Sequence, residues 1–219
     1  MTSLEAYDNF LIKINRNDTQ SNLYVDVSTF IQLFNRQKDK WVDNKLKLKD
    51  SIQIDDLQEI VTSKIETDKI STTEYDEYSL ADNWYEFIGG NVLANQGDCK
   101  RYINLRPVKL QNVQIQNFDD SLEPSFDYEW TTYSLQDNKI RVYKKDFKTE
   151  NISYTYYKVV PDIDIEGYIK ADSTLSTTIN PILKTRFVDE ILDMCATEYF
   201  RNIQSRAGFE LSKERQLNN

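Results

Sequence analysis

The chain has 219 residues, with 27 basic and 36 acidic side chains for a formal net charge of -9, and it contains no histidine. At 39% hydrophobic and 12% aromatic residues it carries too much burial material to be disordered throughout, and no window reaches the roughly 18 uninterrupted apolar residues of a membrane span. Without an imidazole this chain alone builds neither a Ser-His-Asp triad nor a Cys-His pair, and its acidic balance argues against gripping nucleic acid through phosphates.

The first 17 residues lack the apolar stretch of a signal peptide, so the chain reads as soluble and unsecreted. Thr2 and Glu5 have the form of a capping box, and Leu4, Tyr7, Leu11 and Ile14 follow at helical spacing up to the polar Asn15–Asp18 run. A second helix is expected from Asp26 or Ser28 to Lys49, with Phe30, Ile31, Phe34 and Trp41 on its apolar side. Its far side carries Arg36, Lys38, Lys40, Lys45, Lys47 and Lys49, the one sustained basic run. A third, shorter helix is expected after Asp55-Asp56, with Leu57, Ile60, Val61 and Ile65 on one stripe.

From Glu66 to Glu86 the sequence is acidic and aromatic, with Tyr75, Tyr78, Trp84 and Tyr85. It reads either as a solvated segment or as an arm that docks on a basic partner surface. Gly89, Gly90 and Gly97 mark an irregular loop, and no GK[ST] follows that would make it a phosphate-cradling one. Strands are expected at Val108–Ile115, Phe126–Leu135, Lys139–Tyr143 and Ile152–Val159, with Gln136-Asp137-Asn138 as a hairpin turn. Asn180-Pro181 then reads as the start of a closing helix carrying Phe187, Val188, Ile191, Leu192, Cys195 and Tyr199, with Gly208 as its stop and a polar tail after it.

Few constellations point to chemistry. Asp162, Asp164, Glu166 and Gly167 have the first half of a calcium-loop spacing, but Ser173 stands where a bidentate glutamate is needed. The alternative is a strand end with outward carboxylates and inward Ile163 and Ile165. Asp119-Asp120, Glu123, Asp127 and Glu129 form another acidic set, read as a solvated loop rather than a magnesium site. Cys99 lies beside Lys100 and Arg101 with no resolving partner, Cys195 falls on an apolar stripe, and both read as spare thiols of a reducing compartment. No catalytic residue, metal ligand or cofactor is expected.

The run from Tyr154 to Asp164, through Gly167-Tyr168, and then Asn180-Pro181 with the helix 184–201 bearing Ala196, Tyr199 and Phe200 resembles the C-terminal part of head-to-tail connector (adaptor, or ring) proteins of tailed bacteriophages, including those of crAss-like phages. The resemblance covers about a quarter of the chain. It implies a homo-oligomeric ring, typically dodecameric, stacked below the portal protein and joined to neighbouring neck and tail rings in the virion. The genome would pass through its lumen without specific binding, and no membrane is involved.

These readings lead to an α+β expectation: a helical bundle of three N-terminal helices plus a C-terminal helix, with a small antiparallel β module inserted. Its parts are a bundle at 1–70, an acidic and aromatic arm with a Gly-rich loop at 71–100, a β module at 101–170, a closing helix at 171–209 and a tail at 210–219. In such a ring Tyr75, Tyr78, Trp84 and Tyr85 would anchor the arm on a neighbour. Lys38, Lys40, Lys45, Lys47 and Lys49 would meet that arm or the portal, and Arg206 and Phe209 would order against the next ring. The competing expectations are another virion role, capsid-associated or in a tail hub, and a carboxylate-based metal-dependent hydrolase.

Overall fold

The computed structural model describes residues 1–15, 23–47, 57–109, 123–170 and 172–217, with side chains described as far as Ile203. The chain forms two compact units, one of residues 1–59 with 160–219 and one of residues 60–159.

The sheet unit overturns the expected architecture. Eight strands, β1 (Val61–Glu66), β2 (Lys69–Ser71), β3 (Tyr75–Ser79), β4 (Trp84–Gln96), β5 (Cys99–Pro107), β6 (Trp130–Gln136), β7 (Lys139–Tyr143) and β8 (Lys148–Lys158), make one mixed sheet ordered β1-β8-β4-β5-β6-β7-β3-β2. All neighbours are antiparallel except β5 and β6. This is a sheet-dominated fold with three helices, not a helical bundle carrying a small β module.

The connectivity forces the sheet to curl. Laid flat, its two edge strands would stand about 34 Å apart at the normal strand spacing. Yet β1 and β2 are those edges, and only Thr67 and Asp68 separate them in sequence, a link that spans about 11 Å at most. The sheet therefore folds into a half-barrel. Across its inside, Thr149 of β8 hydrogen-bonds Tyr78 Oη of β3 at 2.5 Å and donates to the Asp76 carboxylate. Val92, Ile103, Ile140, Ile152 and Tyr154 fill the interior around them.

Three expectations fail here for stated reasons. The third helix is a single 3₁₀ turn at 57–60 running into β1, because Val61 to Glu66 finds six partners in β8 and a short helix finds none. The acidic arm is no arm, since its residues form β2, β3 and the start of β4. Gly89 and Gly90 lie inside β4 rather than in a loop, and a Cβ on Gly90 would come within 2.5 Å of Ser153 O. Only Gly97, at φ 61°, turns the chain, between β4 and β5. The β6–β7 hairpin follows its turn residues, with Asp137 and Asn138 at φ 51° and 61° as a two-residue turn of left-handed residues requires. Of the strand expected at Val108–Ile115, residues 108–109 are not in a strand and the rest lies outside the described residues.

The helical unit holds α1 (Ser3–Asn15), α2 (Val27–Lys47) and α3 (Thr185–Leu217). Thr2 and Glu5 form the reciprocal capping box, at 3.1 and 2.8 Å. Asp26 caps α2 through Thr29 N at 2.9 Å, and the Ser28 and Thr29 donors hold its carboxyl down at about 2. Phe10 and Phe30 meet at 5.2 Å and Trp41 and Phe187 at 5.1 Å. Each such ring contributes about 2 kcal/mol by leaving water. Asn180 does not cap its own helix. Its side-chain oxygen accepts from Ser3 N of α1 at 2.9 Å, and α3 starts later, at Thr185. Nor does Gly208 stop α3, which runs on to Leu217.

Candidate assembly surface

Between β8 and α3 the helical unit contains a 25-residue irregular stretch at 160–184, strapped down at both ends. At its start Asn35 of α2 grips both sides of the Ile163 peptide, accepting at 2.9 Å and donating at 3.1 Å. Lys38, on the same helix, reaches Val160 O at 2.9 Å and the Asp162 carboxylate at 2.5 Å. At its end Ser3 of α1 donates from N to Asn180 and from Oγ to Ile179 O.

Asp164 organises what lies between. Its backbone pairs both ways with Ile179, at 3.1 and 3.0 Å. Its buried carboxylate accepts from Ile165 N at 3.0 Å, Thr177 N at 3.3 Å, Tyr168 Oη at 2.8 Å and Lys170 Nζ at 2.7 Å. Burial pushes this carboxyl up, but the Lys170, Tyr168 and backbone donors outweigh burial and hold it below its ordinary value. The phenol of Tyr168, half-buried and facing that carboxylate, is driven up to about 12.

On this anchor stands a short hairpin. Ser176 N bonds Tyr168 O at 3.0 Å, Lys170 N bonds Thr174 O at 2.9 Å, and Ser173 closes the turn at φ 66°. Asp172 stabilises the turn by accepting from Thr174 N at 3.0 Å and from its hydroxyl at 2.6 Å. Ile169 and Leu175 face each other across the hairpin and are 70% and 77% exposed. Ile179 and Ile182 at its foot are also exposed. A short isolated hairpin is not stable in water, so the Asp164 anchor is what lets two large aliphatic side chains be held out to solvent. Such a feature suits docking. It does not suit turnover or cation binding, because Asp164 is already engaged by four donors and Asp162 by Lys38. Among the described residues no group of three or more His, Cys, Asp or Glu side chains could hold a metal ion.

The residues singled out from sequence fall elsewhere. Lys38 is a correction: at 2% exposure it is an internal strap, not part of a wet basic face. Lys45 lies 5.1 Å over the Trp41 ring and 3.4 Å from Glu190, while Lys40 and Lys47 are exposed. Lys49 lies outside the described residues, as do the side chains of Arg206 and Phe209. Tyr78 is wholly buried in the half-barrel, Tyr75 packs on Tyr143 at 6.0 Å, and Trp84 bonds Asn138 within its own unit. Tyr85 alone of the four is exposed. Two acids of the supposed arm are paired inside the sheet: Glu77 with Lys139 at 2.6 Å and Arg141 at 2.8 Å, and Asp76 with Lys69 at 2.9 Å and with Lys144.

Sequence reasoning missed Ile169 and Leu175, whose only local signals are Gly167 and the Asp172-Ser173 turn pair. No protein-family model matches this sequence, and no curated protein matches it significantly.

Proposed function

We propose that this chain is a structural virion protein that assembles side to side into a ring in the portal-tail neck of a tailed bacteriophage. The ring catalyses no reaction and surrounds the path of the genome without binding it specifically. The reading rests on the resemblance at Tyr154–Gly167 and Asn180–Arg201, and the observation that carries it is the anchored hairpin with its exposed Ile169–Leu175 pair. A monomer gains nothing from holding two large aliphatic side chains in water, whereas a subunit that docks against a neighbour does. The net charge of -9 also suits the wall of a channel that phosphates must pass without sticking. Mass photometry of the purified protein, alone and with its portal protein, followed by negative-stain imaging, tests the proposal. A closed ring, free or portal-dependent, is the expected result, and a protein that stays monomeric in both samples overturns it.

A further inference from the structure

Beside the start of β6, where the last residues of β5 run parallel to it, there is an open cleft of about 740 Å³ lined by Arg106, Glu123, Tyr128, Trp130, Lys145 and Asp146. We propose that this cleft binds a neutral saccharide.

The size lies in the range of small-ligand sites, and the chemistry of the walls narrows the occupant. Trp130 is buried and forms the back of the cleft, with the Arg106 guanidinium 4.7 Å over its ring. Arg106 is exposed, and among the described residues no carboxylate pairs with it. Tyr128 stands at the lip, 81% exposed, which is unusual for a ring of that size. It is carried by a tight turn whose last residue, Glu129, sits at φ 54°, a conformation that non-glycine residues adopt only under local constraint. Glu123 pairs with Lys145, and Gln96 Nε2 donates to Asp146 at 2.8 Å.

Among the described lining residues Arg106 and Lys145 therefore balance Glu123 and Asp146. A cleft without net charge, in a chain of net charge -9, does not favour a nucleotide or another multiply charged anion. Charged walls do not favour an apolar ligand either. A pyranose meets both conditions. Its C–H face, edged with partial positive charge, lies against the negative face of the Tyr128 ring. Its vicinal hydroxyls match paired donors on Arg106 and paired acceptors on the two carboxylates.

Saturation-transfer NMR on the full chain tests this with glucose, galactose, mannose, N-acetylglucosamine and their disaccharides, against AMP, and with inorganic phosphate, which has no carbon-bound proton to observe, titrated in as a competitor. The expected result is that at least one saccharide binds, and that its affinity falls about tenfold or more in both Tyr128→Ala and Arg106→Ala. Circular dichroism confirms that both variants fold, and both side chains are exposed enough for that to be expected. The proposal is overturned if no saccharide binds, if affinity is unchanged in either variant, or if AMP or phosphate binds more tightly than every saccharide.

Discussion

In the sheet unit Asp76 is wholly buried between Lys69 and Lys144, with Thr149 donating to it from the opposite side of the half-barrel. In the helical unit Asp164 is almost as deeply buried, but its one cation is Lys170, whose side chain is still 36% exposed, and its other partners are a phenol and two backbone amides. The two carboxylates do opposite jobs. Asp76 holds together strands far apart in sheet order and is needed for closure. Asp164 stiffens one loop so that the loop can present Ile169 and Leu175. Removing the first should damage the fold, and removing the second should damage the surface.

The largest effect is expected for Asp76→Asn. It leaves two ammonium groups facing each other with no counter-charge, and a buried pair broken on one side costs about 3–5 kcal/mol. Denaturant unfolding followed by tryptophan fluorescence reads this directly. A loss below about 1 kcal/mol would show that the cluster behaves like a surface ion pair and does not close the sheet. Its pH dependence has a definite sign. Burial pushes the Asp76 carboxyl up, but Lys144, Thr149 and Lys69 outweigh it and hold it at about 2, below the ordinary 3.8. A depressed carboxylate stabilises the fold at pH values above its unfolded pKa, and that contribution, about 2 kcal/mol, is lost as pH falls from about 4 towards 2. Wild type should lose this increment in acid and Asp76→Asn should not. Parallel acid curves for the two would remove Asp76 from the closure.

Next in size is Gly90→Ala. The new Cβ meets the Ser153 carbonyl oxygen of β8, which is backbone and cannot swing aside, so β4 and β8 must part locally at a cost of about 1–3 kcal/mol. Gly89 is the internal control, because a Cβ there has no neighbour within 4 Å. Melting temperatures that fall equally in Gly89→Ala and Gly90→Ala would mean that the register of β4 on β8 differs from that described.

Features set by neighbours in sequence are legible in the sequence itself. The Thr2–Glu5 box, the Asp26 cap, the Asp137-Asn138 turn and the strand before Val159 each depend on residues a few positions apart. What is not legible is set at long range. Leu57, Ile60, Val61 and Ile65 satisfy a helical stripe, yet Val61, Ser63 and Ile65 also alternate, and only the partner strand β8, some ninety positions away in register, decides between the two. Glu77 looks solvated because its cations, Lys139 and Arg141, arrive more than sixty residues later, and Asp76 has only Lys69 nearby in sequence, its second cation Lys144 arriving sixty-eight residues on. Lys38 looks like one more wet lysine because Val160 and Asp162 lie over a hundred residues away. The candidate assembly surface is illegible for the same reason. Ile169 and Leu175 become conspicuous only once Asp164 has bonded across to Thr177 and Ile179.

Asp164→Asn should act locally. The amide offers one acceptor oxygen where the carboxylate has two, so it keeps only one of the two backbone donors, Ile165 N or Thr177 N, and it loses the charge that draws in Lys170, which can turn to water. The expected global cost is about 1 kcal/mol, while the amide of Ser176, which the hairpin protects, should exchange its hydrogen much faster than in wild type. Unchanged exchange there would show that the hairpin stands without its anchor.

The smallest effect on stability belongs to the residues given the largest role in assembly. Ile169→Ser with Leu175→Ser removes side chains that are mostly in water already, so the double variant should unfold within about 0.5 kcal/mol of wild type. If the hairpin is the docking element, the same protein should fail to form the oligomer that wild type forms, with or without portal protein, by light scattering at matched concentrations. Stability and assembly then separate cleanly. Asp76→Asn weakens assembly only as far as it unfolds the subunit, whereas the serine pair abolishes assembly in a subunit that remains folded. A serine variant that assembles like wild type would leave the exposed pair without a role in ring formation and move the contact to another surface of the subunit.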